Sequence, residues 1–185
     1  MAAPVLDRLI PMEDYLRTSY EPECEYIDGV LLSKDMPKNN HSLLQFLLMV
    51  QLAAQQLRLG LSIRPELRVA VGAGRVRVPD IAVFEGPLRE QIPTRAPAVT
   101  IEILSDSESF SALTAKVRDH LASGVKLVII PDPTDKTVMI ADAAGLRSIQ
   151  SPQIVRVQLK KGELAIDFDN LFAQMEAELN APDEA

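Results

Sequence analysis

With 185 residues, 47% of them hydrophobic, the chain has enough apolar material for one well-buried domain and little more. A net charge of −7 argues against a broad basic surface, and a single cysteine, Cys24, excludes an internal disulfide and makes a cytoplasmic setting the expectation. The opening M-A-A-P-V-L-D-R-L-I sets Asp7 and Arg8 where a secretory leader needs its apolar stretch, so no leader is expected. The longest apolar run, Leu43 to Leu59, is broken by Gln45, Gln51, Gln55, Gln56 and Arg58, as befits a soluble helix and not a membrane span.

In chain order, I-P-M-E-D-Y-L-R-T-S predicts a short opening helix, and E-Y-I-D-G-V-L-L-S a hairpin turning at Asp28-Gly29. The asparagines of K-N-N-H-S can cap a long helix that stops at Gly60. E-L-R-V-A-V alternates Leu67, Val69 and Val71 against Arg68, and a turn at Gly72 to Gly74 leads into a strand carrying V-P-D-I-A-V-F. P-A-V-T-I-E-I-L, apolar on both faces apart from Thr100 and Glu102, reads as a strand in the middle of a sheet. In S-D-S-E-S-F-S-A-L-T-A-K-V-R-D-H-L-A-S-G a capping box of Ser105 and Glu108 opens a helix with Phe110, Leu113, Val117 and Leu121 at helical spacing. V-K-L-V-I-I-P-D-P and T-V-M-I-A-D supply further strands. Residues 1–175 are read as one domain and 176–185, acidic through Glu176, Glu178, Asp183 and Glu184, as a disordered tail. Those four acids account for more than half of the net charge, so any basic surface must be local; Arg64, Arg68, Arg75 and Arg77, opposed only by Glu66, form the candidate, as either a solvated sheet face or a phosphate contact.

Asp80 is the anomaly. It shares strand parity with Val76, Val78, Ala82 and Phe84, which points its carboxylate toward a core. An isolated buried carboxylate costs several kcal/mol or more, so such a group is paired, protonated or metal-bound, unless Pro79-Asp80 is simply a turn or solvated bulge. Glu102 repeats the pattern on the next strand. Two converging carboxylates are what a divalent metal needs, with the backbone carbonyl of Ile103 as a third ligand and Lys116, on the following helix, within reach. A zinc site from Cys24, His41 and His120 lacks the paired spacing of zinc motifs.

E-Y-I-D-G, the histidine of K-N-N-H-S, V-R-V-P-D-I-A-V-F, V-T-I-E-I-L-S, the helix with Lys116 followed by Gly124-Val125, and P-D-P together resemble the Uma family of the PD-(D/E)XK nuclease superfamily, over most of residues 13 to 141. The resemblance implies an α/β (α+β) fold with a restriction-endonuclease-like core, in the order helix, three strands, helix, strand, around a mixed central sheet flanked by helices. It implies a Mg²⁺-dependent endonuclease, with Mn²⁺ able to substitute, that hydrolyses phosphodiester bonds of nucleic acid, DNA above all. Asp80 and Glu102 match the metal-binding acids, Glu25 an acid presented to the same site, and Lys116 the family's lysine, which here stands on the helix because the position two after the glutamate is Leu104. Three departures stand out: the family's D-x-x-x-K-x-x-x-Y helix is Ala112, Lys116, His120; its Tyr-Trp pair is Val128-Ile129; its S-P-S is Ser105-Asp106-Ser107. His41 is as readily a cap or phosphate contact as a catalytic group, and His120 is read as a buried filler in the tyrosine's place. A fold that no longer cleaves and serves as a binding or assembly module is the alternative, supported by the acidic charge and an aromatic content of 4%. Leu43, Phe46, Leu47, Val50 and Leu57 on one face of the long helix, and Leu48, Leu52 and Leu59 on another, suggest that one face covers the sheet and the other a partner, hence a homodimer.

Overall fold

The computed structural model describes residues 9–106 and 108–182, so the leader question at residues 1–8, Ser107, Asp183 and Glu184 lie outside the described residues. A short helix α1 (Met12–Arg17) leads to the hairpin β1 (Cys24–Ile27) and β2 (Val30–Ser33). Asp28 and Gly29 both take positive φ, 50° and 95°, as a tight two-residue hairpin turn demands. Helix α2 (Asn39–Leu59) ends at Gly60, whose left-handed backbone (φ 61°, ψ 47°) lets its N–H reach back to the carbonyls of Gln56 and Leu57. The expected asparagine cap is absent: Lys38 holds the N-cap position and its side chain makes no capping bond.

Beyond α2 the described chain runs β3 (Leu61–Pro65), β4 (Val69–Gly72), β5 (Arg75–Arg77), β6 (Ile81–Glu85), β7 (Val99–Ile101), α3 (Phe110–Ser123), β8 (Leu127–Asp132), β9 (Thr137–Asp142), β10 (Gly145–Ser148), β11 (Ile154–Leu159), β12 (Gly162–Asp167) and α4 (Phe168–Leu179). The central sheet has the order β10-β9-β8-β7-β6-β3 and is mixed: β7 and β8 are parallel, joined by the α3 crossover, and the other pairs are antiparallel. A smaller antiparallel sheet, β2-β1-β5-β4, carries the hairpin, and β11-β12 form a third unit. Alternation splits the faces of the central sheet. Ile81, Val83, Val99, Ile101, Leu127 and Ile129 join the main core under α2 and α4, while Val128 and Ile130 pack against Leu113 and Val117 of α3.

Several local expectations change once the elements are assembled. β5 and β6 are two strands in different sheets, and Val78-Pro79-Asp80 is the crossing between them. Proline cannot donate to a ladder, so the break falls where it costs least. Helix α3 is capped by Ser109, whose side chain accepts from the Ala112 N–H at 3.2 Å, and not by Ser105. The expected tail is helical through Leu179: Phe168, Leu171, Phe172 and Met175 recur at helical spacing and are buried, leaving Glu176 and Glu178 on the outer face of α4. On α2, Leu43 joins Leu44, Leu48, Leu52 and Leu59 in the core, whereas Phe46, Val50 and Leu57 are 61%, 54% and 93% exposed. No helix among the described residues is long and apolar enough to cross a membrane.

Candidate active site

The antiparallel register of β6 and β7 pairs Ile81 with Ile101 and Ala82 with Thr100. Continued by one residue past the strand ends, it sets Asp80 opposite Glu102 on the same face of the sheet. Both carboxylates are buried, 4% and 2% exposed. They stand where the central sheet meets the smaller one, beside a cavity of about 920 Å³ whose wall includes Lys34, His41, Glu66, Asp80, Ile103 and Lys116.

Each acid has its own lysine and its own histidine. Asp80 Oδ1 accepts from Lys34 Nζ at 2.9 Å; Oδ2 accepts from the Ile103 N–H at 2.7 Å and lies 3.3 Å from His41 Nε2. Glu102 Oε1 lies 2.8 Å from His120 Nε2, and Oε2 lies 3.6 Å from Lys116 Nζ. Each lysine in turn holds a second carboxylate: Lys34 that of Glu66 at 2.6 Å, Lys116 that of Glu108 at 2.8 Å. Burial works against the charge on Asp80, but His41 and Lys34 outweigh it and hold its pKa well below the usual carboxylate range. Glu102 is likewise lowered, burial and the charge of Asp80 being overcome by Lys116 and His120. Burial alone would discharge the two lysines; instead the surrounding acids, Asp80 and Glu66 for Lys34 and Glu102, Glu25 and Glu108 for Lys116, raise both above the ordinary lysine value. Asp80 and Glu102 are therefore held ionised beside Lys34 and Lys116, two acids against two ammonium groups.

The family model described as "Putative restriction endonuclease", Uma2, matches residues 12–166. The chain belongs to the Uma2 family. Among solved structures it is similar to a "putative nuclease belonging to DUF820" from Anabaena variabilis ATCC 29413, at 27% identity and a TM-score of 0.76, covering 90% of this chain and 99% of that one. A DrdV–DNA complex shares 14% identity over 78% of this chain and 14% of its own, at a TM-score of 0.34, too loose a likeness to say anything of this protein. No curated protein matches the chain. The fold is thus a nuclease fold, a mixed sheet flanked by helices, as the sequence resemblance implied.

Of the residues matched to the Uma pattern, Asp80, Glu102 and Lys116 come together. Glu25 lines the same cavity and acts on Lys116, with both its carboxylate oxygens engaged by Arg77 and Val78. Its Oε2 accepts from Arg77 Nη1 at 2.6 Å and its Oε1 from the Val78 N–H at 3.1 Å. Arg77, 3% exposed, is shared with Asp119 of α3, which also takes Arg75 at 2.7 Å. This buried network pins α3, with Lys116 and His120, against the small sheet. Of the basic stretch, Arg68 pairs with Glu23 and Arg75 and Arg77 with Asp119, while half-buried Arg64 donates to the carbonyl of its neighbour Ile63. His120, in the tyrosine position of the Uma helix, is fully buried and is a direct partner of Glu102, not filler. His41, at the start of α2, does not cap it but faces Asp80. Sequence reasoning missed Lys34, Glu66 and the ion pair of Glu108. Lys34 lies in a connector 46 positions from Asp80, and no local pattern marks it.

The donor chemistry suits a hard divalent cation: two opposed, buried, ionised carboxylates, of which Asp80, with Ile103, lines a cavity open to further ligands, while Glu102 lies behind it. Among the described residues no three Asp, Glu, His or Cys side chains form a metal-ligating group. Asp80, Glu102 and the Ile103 carbonyl would then be completed by water and substrate oxygens, as magnesium commonly is.

Proposed function

We propose that this protein is a metal-dependent endonuclease acting on phosphodiester bonds of nucleic acid, with DNA as its substrate. The observation that carries the proposal is the juxtaposition of Asp80 and Glu102, ionised, buried and opposed across β6 and β7, with Lys116 beside them at the cavity wall. Asp80, Glu102 and the carbonyl of Ile103 would hold Mg²⁺, and Mn²⁺ would substitute; the ion, when bound, supplies Lewis-acid polarisation of a phosphoryl oxygen and acidifies a coordinated water. Lys116 presents an ammonium fixed by Glu108, suited to orient the attacking water or to stabilise charge gathering on the phosphate as the bond breaks. His41 and His120 each hold one carboxylate oxygen, which leaves fewer orientations open to the acids. The test is cleavage of single-stranded and duplex DNA and of RNA in Mg²⁺, Mn²⁺ or EDTA, where metal-dependent loss of full-length DNA is expected and no cleavage in any arm would refute the proposal.

A second reading, a binding or assembly module without catalysis, draws on the same charge balance, since Lys34 and Lys116 already compensate the two acids. Melting curves separate the two: an ion bound only by the folded state at about a hundred times its Kd adds about 2.7 kcal/mol of stability. A Tm indifferent to Mn²⁺ would favour the module. The uncovered apolar stripe of Phe46, Val50 and Leu57 on α2 supports a homodimer, which would also place two sites for a duplex. Light scattering that returned 20.3 kDa at high concentration would exclude it.

A further inference from the structure

Lys34 is a second ammonium in the cavity wall, supplied by the connector after β2 and lying outside the sequence pattern that marks the acids. Its three protons are all engaged: Glu66 Oε2 at 2.6 Å, the Val78 carbonyl at 2.9 Å and Asp80 Oδ1 at 2.9 Å. These acceptors are not equivalent. Asp80 is buried and Val78 is backbone, whereas the side chain of Glu66 is 44% exposed and faces the cavity. An anionic oxygen entering the cavity can therefore replace Glu66 on Lys34 without disturbing Asp80.

Glu66 is itself held in an unusual state. It follows Pro65 with φ at 48°, a left-handed conformation that a non-glycine residue keeps only where its surroundings impose it. Its N–H donates to the Asp80 carbonyl at 3.3 Å, and Gln45 Nε2 bridges Glu66 Oε1 and that same carbonyl at 2.9 Å each. Backbone strain is thus spent on placing one carboxylate beside one lysine at the cavity edge. Lys116 repeats the arrangement on the other acid, with Glu108 as its second partner. A phosphodiester has two non-bridging oxygens, and of the three lysines in the cavity wall, Lys34, Lys38 and Lys116, the first and last each stand beside one of the two acids.

We propose that Lys34 is a phosphate-binding residue of this cavity and that Glu66 is its exchangeable anion, a carboxylate that positions the ammonium and is displaced from it by the substrate phosphate. The inference rests on the reading of the cavity as a phosphodiester site.

The experiment uses the full chain and its Lys34→Met, Lys34→Arg and Glu66→Gln variants. Binding of short fluorescein-labelled single-stranded and duplex DNA is followed by anisotropy with Ca²⁺ present, and cleavage kinetics are followed with Mg²⁺. Lys34→Met should weaken DNA binding and raise KM by about ten- to a hundredfold, the worth of one hydrogen bond to a charged group. Lys34→Arg, which keeps the charge, should restore most of the binding. Glu66→Gln keeps an acceptor for Lys34 but removes the competing charge, so binding should tighten and KM fall, a direction that a scaffolding role would not produce. The proposal is overturned if Lys34→Met binds DNA as tightly as the parent, or if Glu66→Gln weakens binding as much as Lys34→Met does. If the parent binds DNA but never cleaves, and binding still depends on Lys34, the hydrolytic reading fails while the phosphate contact stands; if cleavage proceeds and ignores Lys34, only the phosphate contact fails.

Discussion

Replacing Asp80 by Asn keeps the side-chain shape and removes one charge, and two opposed effects decide the outcome in metal-free protein. Repulsion from Glu102 would be relieved, which favours the variant. Against it, Asp80 loses charge-assisted bonds to Lys34 at 2.9 Å and to the Ile103 N–H at 2.7 Å, and its contact with His41. The depressed pKa of Asp80 reports that attraction wins. Stranding a fully buried partner costs about 3–5 kcal/mol, but Lys34 keeps Glu66 and the Val78 carbonyl, so a loss of about 1–3 kcal/mol is the better expectation. For a chain of this size that is a fall in Tm of roughly 2–12 °C. Differential scanning calorimetry in EDTA measures it, and titration calorimetry with Mn²⁺ on the same samples should show markedly weakened binding. A variant that melts above the parent in EDTA would show that acid–acid repulsion outweighs the lysine and histidine contacts. Unchanged Mn²⁺ affinity would remove Asp80 from the ligand set.

Lys116→Ala should lower single-turnover cleavage by a factor of about 10²–10³ with Mn²⁺ affinity unchanged or slightly tighter, since a nearby positive charge is gone; full activity would dismiss the lysine's assignment while leaving the acids in place. Arg77→Leu leaves Glu25 and Asp119 buried without their common partner and should cost about 3–5 kcal/mol by urea unfolding, and a cost below about 1 kcal/mol would show that the network does not pin α3. Acid stability follows from the lowered pKa values of Asp80 and Glu102. The unfolded chain binds more protons than the folded one, so their contribution is complete above the unfolded carboxylate pKa of about 4 and is lost as pH falls through the lower folded values. Tm in EDTA should drop below about pH 4, and less steeply in Asp80→Asn; an equally steep acid limb in the variant would contradict the assignment.

What the sequence determined by itself was whatever depends on near neighbours in the chain. The turn at Asp28-Gly29, the stop of α2 at Gly60, the continuous apolar run of β8, and the spacing of Leu113 and Val117 on α3 are local patterns and local backbone freedoms, and they survive into the fold unchanged. Strand alternation singled out Asp80 and Glu102 as acids on apolar faces. Parity, though, says only which face a side chain takes; register and sheet order decide what it meets there. Only the tertiary structure separates β5 from β6 at Pro79, and only it brings Arg68, Arg75 and Arg77 to Glu23, Asp119 and Glu25. The acidic C-terminal stretch likewise became a helix because Phe168, Leu171, Phe172 and Met175 found α2 to pack on. The site's charge balance is the furthest from local. Lys34 meets Asp80 across 46 positions and His120 meets Glu102 across 18, pairings set by how the two sheets and α3 close on one another, which no short window of sequence encodes.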